Sequence, residues 1–267
     1  GLLYKISNQI SVFGNYSKGL QVPGTDALYN AFFFPANTPS ARPNPETTNN
    51  FDLGIRYRSS KVQAQVSTWY TRYQDRLASA FDEETQRTLY RNLGRVDKYG
   101  IDGSIAYQPI PDLALYVFGS YLESEIKNDV QSGANAFLPT AGKREGGAPA
   151  YTFGGSARGT LGPVELGVTA KRTGGRYLYD TNLPLVFGGA QVYPAKTNAY
   201  WLVNLDARMS LEFLGLNDKT YFQVNVYNLF DTLYVGNFNS SLSQGTSAPN
   251  AQIGAPRTIS GTLTVGF

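Results

Sequence analysis

The sequence predicts an all-β protein, and within that class an antiparallel transmembrane β-barrel. Three observations support this prediction: long segments in which apolar and polar residues alternate, connections that alternate between short and long, and no convincing helical period. Successive side chains of a strand point to opposite faces, so a wall between lipid and water produces this alternation. We expect about eleven strands, most of about ten residues or more.

The predicted strands follow one another along the chain with the same alternation. In segment 201–211 one face is wholly apolar, whereas the other carries Asp206 and Arg208 in its middle. A charged strand centre indicates that this face meets water. The last segment alternates most clearly, with Ile259 and Leu263 on one face and only Ser and Thr on the other. In chain order, the remaining clear segments are 10–16, 51–58, 62–70, 99–107, 113–121, 151–159, 164–171 and 222–230.

The connections predict which end of the barrel faces which side of the membrane. Short, turn-like connections rich in Gly, Pro, Asn and Asp lie near 7–8, 59–60, 109–112, 159–163 and 214–218. Long connections, mostly of about twenty residues or more, lie at 20–48, 81–87, 127–148, 178–198 and 234–254. Tight turns at one end and long loops at the other are typical of outer-membrane barrels, whose turns are periplasmic and whose loops are extracellular.

Composition excludes several functions. Charged residues make up 16% of the chain, below the roughly 25% of a soluble domain. The net charge of +3 is too small and too scattered for nucleic-acid binding. Because the chain has 0 Cys and 0 His, it has no thiolate, no Ser-His-Asp triad and no His-ligated metal. We therefore expect no enzyme, no catalytic residue, no cofactor and no metal site; three adjacent acids at 82–84 are read as solvated.

The alternatives to a transport barrel are a soluble β-protein and an outer-membrane enzyme. A soluble β-sandwich also alternates, but its exposed faces carry more Lys and Glu than the Thr, Ser, Gln, Asn and Gly found here. An outer-membrane lipid hydrolase would need a general base, and the sequence contains no His, the commonest one. Tyrosines toward strand ends on the apolar face favour the membrane, where they would form interfacial girdles. These are Tyr57, Tyr70, Tyr99, Tyr107, Tyr121 and Tyr151.

Four sequence elements, in order along the chain, carry a resemblance to a known family. They are the run 15–23 followed by Leu28-Tyr29-Asn30, the run 44–57 with Pro45-Glu46, the run 98–103, and Val226-Tyr227-Asn228-Leu229-Phe230-Asp231 with Tyr234. They resemble the strand-to-loop, loop-to-strand and Asn-Leu-Phe-Asp elements of TonB-dependent outer-membrane receptors of the siderophore-receptor type. One departure is Asp102, which stands where the family usually has Glu.

The resemblance implies the architecture of the whole protein. Such receptors have a barrel of about 22 strands, an N-terminal plug and a TonB box, so residues 1–267 look like the C-terminal portion of one barrel domain, with plug and TonB box outside this chain. Phe267 resembles the terminal aromatic residue that the barrel assembly machinery reads. The expected location is the outer membrane of a Gram-negative bacterium, multi-pass, in contact with outer-membrane lipid and lipopolysaccharide.

The resemblance also implies a function: binding of a scarce ligand, most commonly a ferric siderophore or similar chelate, and its import through the TonB complex acting on the plug. Aromatic residues of one long loop, and aromatic and charged residues at the base of another, are the candidate ligand contacts, although loop packing or a solvated lumen would explain them too. These candidates are Phe32, Phe33, Phe34, Arg172, Arg176, Tyr177, Tyr179 and Asp180. The alternative function is a passive outer-membrane porin without a plug.

Overall fold

A computed structural model of the chain describes residues 1–23, 44–82, 87–131, 137–238, 240, 242 and 251–266. This part of the chain forms nineteen β-strands and one three-residue 3-10 helix. Eleven of the strands make a single antiparallel sheet, which confirms both the all-β class and the expected strand number. No helix in the described ranges is long and apolar enough to cross a membrane.

The eleven-stranded sheet, which we call the wall, is a meander in which each strand pairs with the next wall strand along the chain. Its first and last strands are its two edges. The wall strands are β1 (Leu2–Lys5), β2 (Ile10–Gln21), β3 (Glu46–Arg58), β4 (Val62–Gln74), β7 (Val96–Ile110), β8 (Leu113–Ile126), β11 (Tyr151–Leu161), β12 (Val164–Thr173), β15 (Tyr200–Ser210), β16 (Tyr221–Tyr227) and β19 (Thr258–Thr264).

Four two-stranded hairpins lie within the long connections, where the sequence predicts only loops. Each hairpin is local, so its formation does not alter the wall pairing. They are β5 (Leu77–Asp82) with β6 (Arg87–Asn92), β9 (Val130–Gln131) with β10 (Phe137–Leu138), β13 (Leu185–Phe187) with β14 (Ala190–Tyr193), and β17 (Val235–Phe238) with β18 (Ala251–Ile253).

The two ends of the wall differ as the sequence predicts. At the turn edge, wall strands are joined by the short connections 6–9, 59–61, 111–112 and 162–163 and by the longer 211–220, which holds the 3-10 helix Glu212–Leu214. At the loop edge they are joined by 22–45, 75–95, 127–150, 174–199 and 228–257. We call the described residues of these five long connections the cap.

The two faces of the wall have opposite chemistry. One face, here called outward, exposes large apolar side chains such as Leu53, at 62% of its surface, and Val117, at 61%. The predicted tyrosines lie on this face, with Tyr57 near the turn edge and Tyr99 near the loop edge. The opposite, inward face carries Arg158, which forms ion pairs with Glu165 and, at 3.0 Å, Asp206.

Glycines of the inward face make room for large side chains from the neighbouring strand. A Cβ at Gly100 would lie 2.7 Å from the Trp69 ring and 2.4 Å from the Tyr121 carbonyl oxygen. Trp69 lies across this gap, and its Nε1 donates a hydrogen bond of 2.8 Å to Asp102. The inward face is therefore a close-packed polar and aromatic surface.

One predicted strand is longer than the observed one. The alternation predicts a strand over 222–230, but β16 ends at Tyr227. The backbone turns at Asn228, whose φ is +52°, a left-handed conformation that Asn tolerates better than most residues. The Asn228 side chain donates to the carbonyls of Thr232 (3.0 Å) and Ala255 (3.1 Å), and its oxygen accepts from the Thr232 N–H. This asparagine thus ends the strand and fixes the start of the cap.

Candidate functional site

The candidate site is the cap, because all five long connections meet there and the buried apolar side chains of the described residues are found at this end. One cluster combines residues of three connections with the ends of β7 and β8, and a second cluster joins the connections 174–199 and 228–257. The first contains Leu93, Val96, Ile126, Val130 and Leu242, and the second contains Leu178, Tyr179, Leu185 and Phe238.

A partly buried ion cluster connects the cap to the wall. Arg76 contacts both oxygens of Glu46 at 3.0 Å and Glu145 at 2.9 Å, and it lies over the Tyr73 ring. The second oxygen of Glu145 is 2.5 Å from the Lys98 Nζ. Because Glu46 begins β3 and Lys98 lies on β7, this cluster holds the connection 127–150 against the loop edge of the wall.

The backbone of segment 143–147 also forms hydrogen bonds with side chains of the connection 174–199. The Gly146 N–H donates a hydrogen bond of 2.7 Å to Asp180 Oδ1. Arg144 and Asn182 bond reciprocally: the Arg144 N–H donates to Asn182 Oδ1 at 2.9 Å, and Asn182 Nδ2 donates to the Arg144 carbonyl at 2.8 Å. The segment is thus fixed on both sides, by the ion cluster and by the connection 174–199.

The pKa values of the two acids of this region, Glu145 and Asp180, are shifted in opposite directions. Burial alone would raise the pKa of Glu145, but the adjacent Lys98 and Arg76 hold that pKa below its usual value. Burial raises the pKa of Asp180 to about 7, with a smaller contribution from the negative charge of Glu145, although the hydrogen bond from Gly146 opposes the rise. Glu145 is therefore a charged anchor, whereas Asp180 changes protonation near neutral pH.

The structure brings four of the predicted site residues together in the connection 174–199. Arg176 donates a hydrogen bond of 2.5 Å to the Val235 carbonyl, and its guanidinium lies 4.7 Å from the Phe238 ring centroid. Tyr179 and Asp180 are buried, at 3% and 4% exposure. In this conformation these three residues hold the cap together, and their role as ligand contacts stays a prediction.

Tyr177, the fourth of these residues, is partly accessible. It forms an isolated antiparallel bridge with Lys196, which is exposed and whose Nζ lies 5.1 Å from the Tyr177 ring centroid. An aromatic face beside a cation suits a flat anionic ligand. Sequence reasoning identified Tyr177 but not Lys196, because the pair forms only when the two ends of the connection meet.

Arg172 lies apart from the other four. It shares the outward face of β12 with Leu166 and Val168, and its guanidinium lies 5.9 Å from the Trp201 ring centroid. Phe32, Phe33, Phe34 and Phe267 lie outside the described residues. In the described ranges no three His, Cys, Asp or Glu side chains are grouped so that they could hold a metal ion.

The residues that sequence reasoning missed are the ion-cluster members Arg76 and Glu145. Arg76 and Glu145 are 69 positions apart, and no local periodicity relates them. Glu46 and Lys98 were noticed only as parts of family-like elements. The signal that could have pointed to the cluster is that both these elements lie where a predicted strand meets a long connection.

Taken together, a meander wall with an apolar outward face, an ionic inward face and a packed cap at one edge defines the class of transmembrane β-barrels with long loops on one side. The family model described as "TonB dependent receptor-like, beta-barrel" matches residues 1–229. The chain therefore belongs to the TonB-dependent receptor β-barrel family.

Similar proteins support the family and the fold. The catecholate siderophore receptor Fiu of Escherichia coli K12 is 25% identical over 248 residues, which cover 90% of this chain and 29% of Fiu. The ferric yersiniabactin uptake receptor FyuA from Yersinia pestis has a TM-score of 0.65 at 20% identity, covering 97% of this chain and 35% of that one. The ferric citrate transporter FecA, unliganded, has a TM-score of 0.71 at 14% identity, covering 96% and 36%. The chain thus spans about a third of these proteins. These relatives are receptors and transporters, in agreement with the expected lack of enzyme activity.

Proposed function

We propose that this chain is the C-terminal barrel portion of an outer-membrane receptor of a Gram-negative bacterium that imports a ferric siderophore with TonB-coupled energy. The observation that carries the proposal is the combination of a lipid-compatible outward face with a packed cap at the loop edge. A plug and a TonB box, in a part of the protein outside this chain, would complete the machinery. The chain's 25% identity to a catecholate siderophore receptor supports this class of ligand.

The wall supports the membrane part of the proposal. Its outward face exposes Leu, Ile, Val and aromatic side chains on every long strand, which would be unfavourable in water and is favourable in lipid. Between the two edge strands β1 and β19, the antiparallel pairing satisfies the backbone groups of the wall, as a bilayer requires. The turn edge would then be periplasmic and the cap extracellular.

The cap supports the ligand part of the proposal. Tyr177 and Lys196 present an aromatic ring and an exposed cation in the cap, and both suit an anionic catecholate chelate of iron. Tyr179, Asp180 and Arg176 would hold this pair in position from behind. Phe32, Phe33 and Phe34 are proposed as further aromatic contacts.

The test is transport by the complete receptor. The gene would be expressed in an Escherichia coli strain that lacks its own catecholate siderophore receptors, and uptake of radioactive iron as a ferric catecholate would be measured with and without a functional TonB protein. We expect uptake that requires TonB. Uptake that is equal in both strains would contradict the receptor and favour the passive porin; no uptake of any iron chelate would contradict the ligand class.

A matched pair of variants tests the ligand contact. Lys196→Gln removes the cation beside Tyr177, and we expect the apparent affinity for the ferric catecholate to fall about tenfold. Lys219→Gln makes the same charge change in the connection 211–220 at the turn edge and should leave the affinity unchanged. An equal effect of both variants, or of neither, would contradict binding at Tyr177 and Lys196.

A further inference from the structure

We propose that Asp180 is a positioning residue for the ligand pair Tyr177 and Lys196, and that a proton on its carboxyl group strengthens ligand binding there. Asp180 would act through the amides of Gly146 and Gly147, which belong to a different long connection. The inference rests on the proposed function and adds the regulation of that site by a proton.

The Asp180 carboxyl group is buried where two connections of the cap meet. The residue is 4% exposed, and its Oδ1 accepts a hydrogen bond of 2.7 Å from the Gly146 N–H. Within the described ranges, no Lys or Arg forms an ion pair with Asp180. Burial of a carboxylate without a paired cation is unfavourable, whereas a neutral carboxyl group can accept the same hydrogen bond. The geometry therefore favours the protonated form of Asp180 in the packed cap.

The charged groups that face Asp180 are those of the ion cluster. The carboxylate of Glu145 opposes a negative charge on Asp180, whereas the cations Lys98 and Arg76 favour it. Both cations are already paired with Glu145, at 2.5 Å and 2.9 Å. Burial raises the pKa of Asp180 to about 7 and Glu145 adds to the rise, although the backbone hydrogen bond and the two cations oppose it.

The other neighbours of Asp180 carry no charge near neutral pH. Burial raises the pKa of Tyr179, the preceding residue, so its hydroxyl group stays neutral. From the connection 228–257, the Leu242 carbonyl accepts a hydrogen bond of 3.2 Å from the Thr181 N–H, and neither residue ionises. These neighbours therefore add no titration of their own between pH 6 and pH 8.

Gly146 and Gly147 link Asp180 to Tyr177. While Gly146 binds the Asp180 side chain, the Gly147 N–H donates a hydrogen bond of 2.9 Å to the Tyr177 carbonyl oxygen. The fit is tight, because a Cβ at Gly146 would lie 3.1 Å from that same oxygen. Two consecutive amides thus bind two residues of the connection 174–199, and release of Asp180 would weaken the hold on Tyr177.

The backbone of Tyr177 also fixes Lys196. The two residues form an antiparallel bridge, beside a hydrogen bond of 2.8 Å from the Thr197 N–H to the Arg176 carbonyl oxygen. The ring and the cation therefore move as one unit, and the contact with Gly147 attaches this unit to the rest of the cap. A pair that is already held in place binds a ligand more tightly than one that must be ordered on binding.

Asp129 provides a comparison within the cap. Its Oδ1 accepts a hydrogen bond of 2.9 Å from the Ala141 N–H, which is the same kind of contact that Asp180 makes with Gly146. Asp129 is exposed, so water can solvate its carboxylate. Asp129 and Asp180 thus differ in burial and share the type of hydrogen bond, which makes Asp129 the matched control.

The experiment measures binding of a defined probe, the ferric complex of a hexadentate tris-catecholate, to the complete receptor in detergent at pH 6 and pH 8. Quenching of the protein fluorescence reports binding. Because the packed cap binds the proton on Asp180 more tightly, its stabilising effect is lost as pH rises through about 7, and we expect the wild-type Kd to rise up to about tenfold. Asp180→Asn should bind at both pH values as the wild type does at pH 6, since its amide oxygen accepts from Gly146 and cannot ionise.

Two further variants and one measurement without ligand sharpen the test. Asp129→Asn should keep the wild-type pH profile, and any titration of the probe itself affects all variants alike. Asp180→Ala removes the acceptor and should bind at both pH values no better than the wild type does at pH 8. Hydrogen exchange of the Gly147 N–H, corrected for its intrinsic pH dependence, should show easier opening at pH 8 in the wild type but not in Asp180→Asn.

Two binding results would overturn the inference: equal pH profiles of Asp180→Asn and the wild type, or loss of the wild-type profile in Asp129→Asn. If the Asp180 variants do not assemble, corrected exchange of Gly147 that is the same at both pH values in the wild type would overturn it alone. No binding of the probe at either pH, together with the expected exchange of Gly147, would contradict the proposed ferric catecholate ligand only.

Discussion

The wall and the cap bury their apolar side chains in opposite ways. On the wall, Leu53 and Val117 expose more than half of their surface on the outward face. Where the cap meets the loop edge of the wall, Leu93, Val96 and Ile126 are at most 1% exposed and pack against each other as in a water-soluble domain. This difference indicates that the two regions have different surroundings. Lipid would cover the apolar outward face of the wall, whereas the apolar side chains of the cap bury one another away from water.

The ionic groups show the same contrast. On the inward face of the wall, Arg158 pairs with Glu165 and Asp206 while about half of its side chain remains exposed. Where the cap meets the wall, Arg76 and Lys98 both contact Glu145, and the three side chains are each less than a quarter exposed. Exposed pairs contribute little to stability, whereas removal of one partner of a buried pair leaves a costly unpaired charge. We therefore expect charge changes to act on different properties in the two regions.

The largest effect is expected from a charge on the outward face of the wall. Val168→Lys places an ammonium group at the middle of β12, where lipid would surround it, and should destabilise the assembled barrel by about 2–4 kcal/mol. Thr169→Lys is the control, because Thr169 is the next residue and lies on the inward face. The measurement is urea unfolding of the complete receptor in lipid vesicles. Equal destabilisation by both lysines would contradict the assignment of the two faces.

A smaller and local effect is expected at the cap. Glu145→Gln leaves Arg76 and Lys98 with one charged partner fewer, so the segment 143–147 should open more easily by about 1–3 kcal/mol. Hydrogen exchange of the Gly146 N–H measures this opening directly, since this amide is bonded to Asp180. Global unfolding in vesicles should change much less than the exchange.

The control at the cap is an exposed ion pair. Glu125 pairs with Lys127, and both side chains are about a third or more exposed. Glu125→Gln should therefore change the exchange of Gly146 by less than about 0.5 kcal/mol. If Glu125→Gln opens the segment as much as Glu145→Gln does, burial is not what makes the ion cluster strong.

The closed cap should also depend on pH, through Asp180. Its pKa of about 7 lies above its unfolded value, so the closed state binds the proton more tightly, and the resulting stabilisation is complete at low pH and lost as pH rises through 7. The groups facing it are the Gly146 N–H and the charges of Glu145, Lys98 and Arg76. Between pH 5 and pH 7 we expect the opening free energy at Gly146 to fall by up to about 2 kcal/mol.

The variant Asp180→Asn tests whether ionisation of Asp180 is the cause of this pH dependence. Its side-chain oxygen can still accept the hydrogen bond from Gly146, but it cannot ionise. Hydrogen exchange of Gly146, corrected for the intrinsic pH dependence, should then vary little between pH 5 and pH 7. Glu145, whose pKa is lowered, contributes to pH dependence only below this range. A variant that keeps the full pH dependence would contradict titration by Asp180.

The sequence predicts the wall much better than the cap. The alternation that identifies a strand involves neighbouring residues, whereas the contacts that form the cap join residues far apart in the sequence. Alternation is a local pattern, and the strand predicted over 164–171 agrees within two residues with β12. The same alternation places Arg172 on the apolar face. Our choice of Arg172 as a ligand contact did not take this into account. The cap depends on contacts such as Arg76 with Glu145 and Gly146 with Asp180, which join residues 69 and 34 positions apart. Residue type and spacing contain no pattern that pairs them.

The smallest expected effect is on the outward face of the wall, where a band of aromatic side chains crosses β2, β3 and β4. The Phe51 ring lies between Tyr16, at 4.9 Å, and Tyr70, at 6.4 Å. Phe51→Leu keeps an apolar side chain but removes both aromatic contacts, so unfolding in vesicles should become easier by about 0.5–1 kcal/mol. Ile55→Leu, on the same face of β3 but nearer the turn edge, should have almost no effect, because lipid covers either side chain equally well. Equal stability of the two variants would contradict a contribution from the aromatic contacts of Phe51, whereas a larger loss in Phe51→Leu would support it.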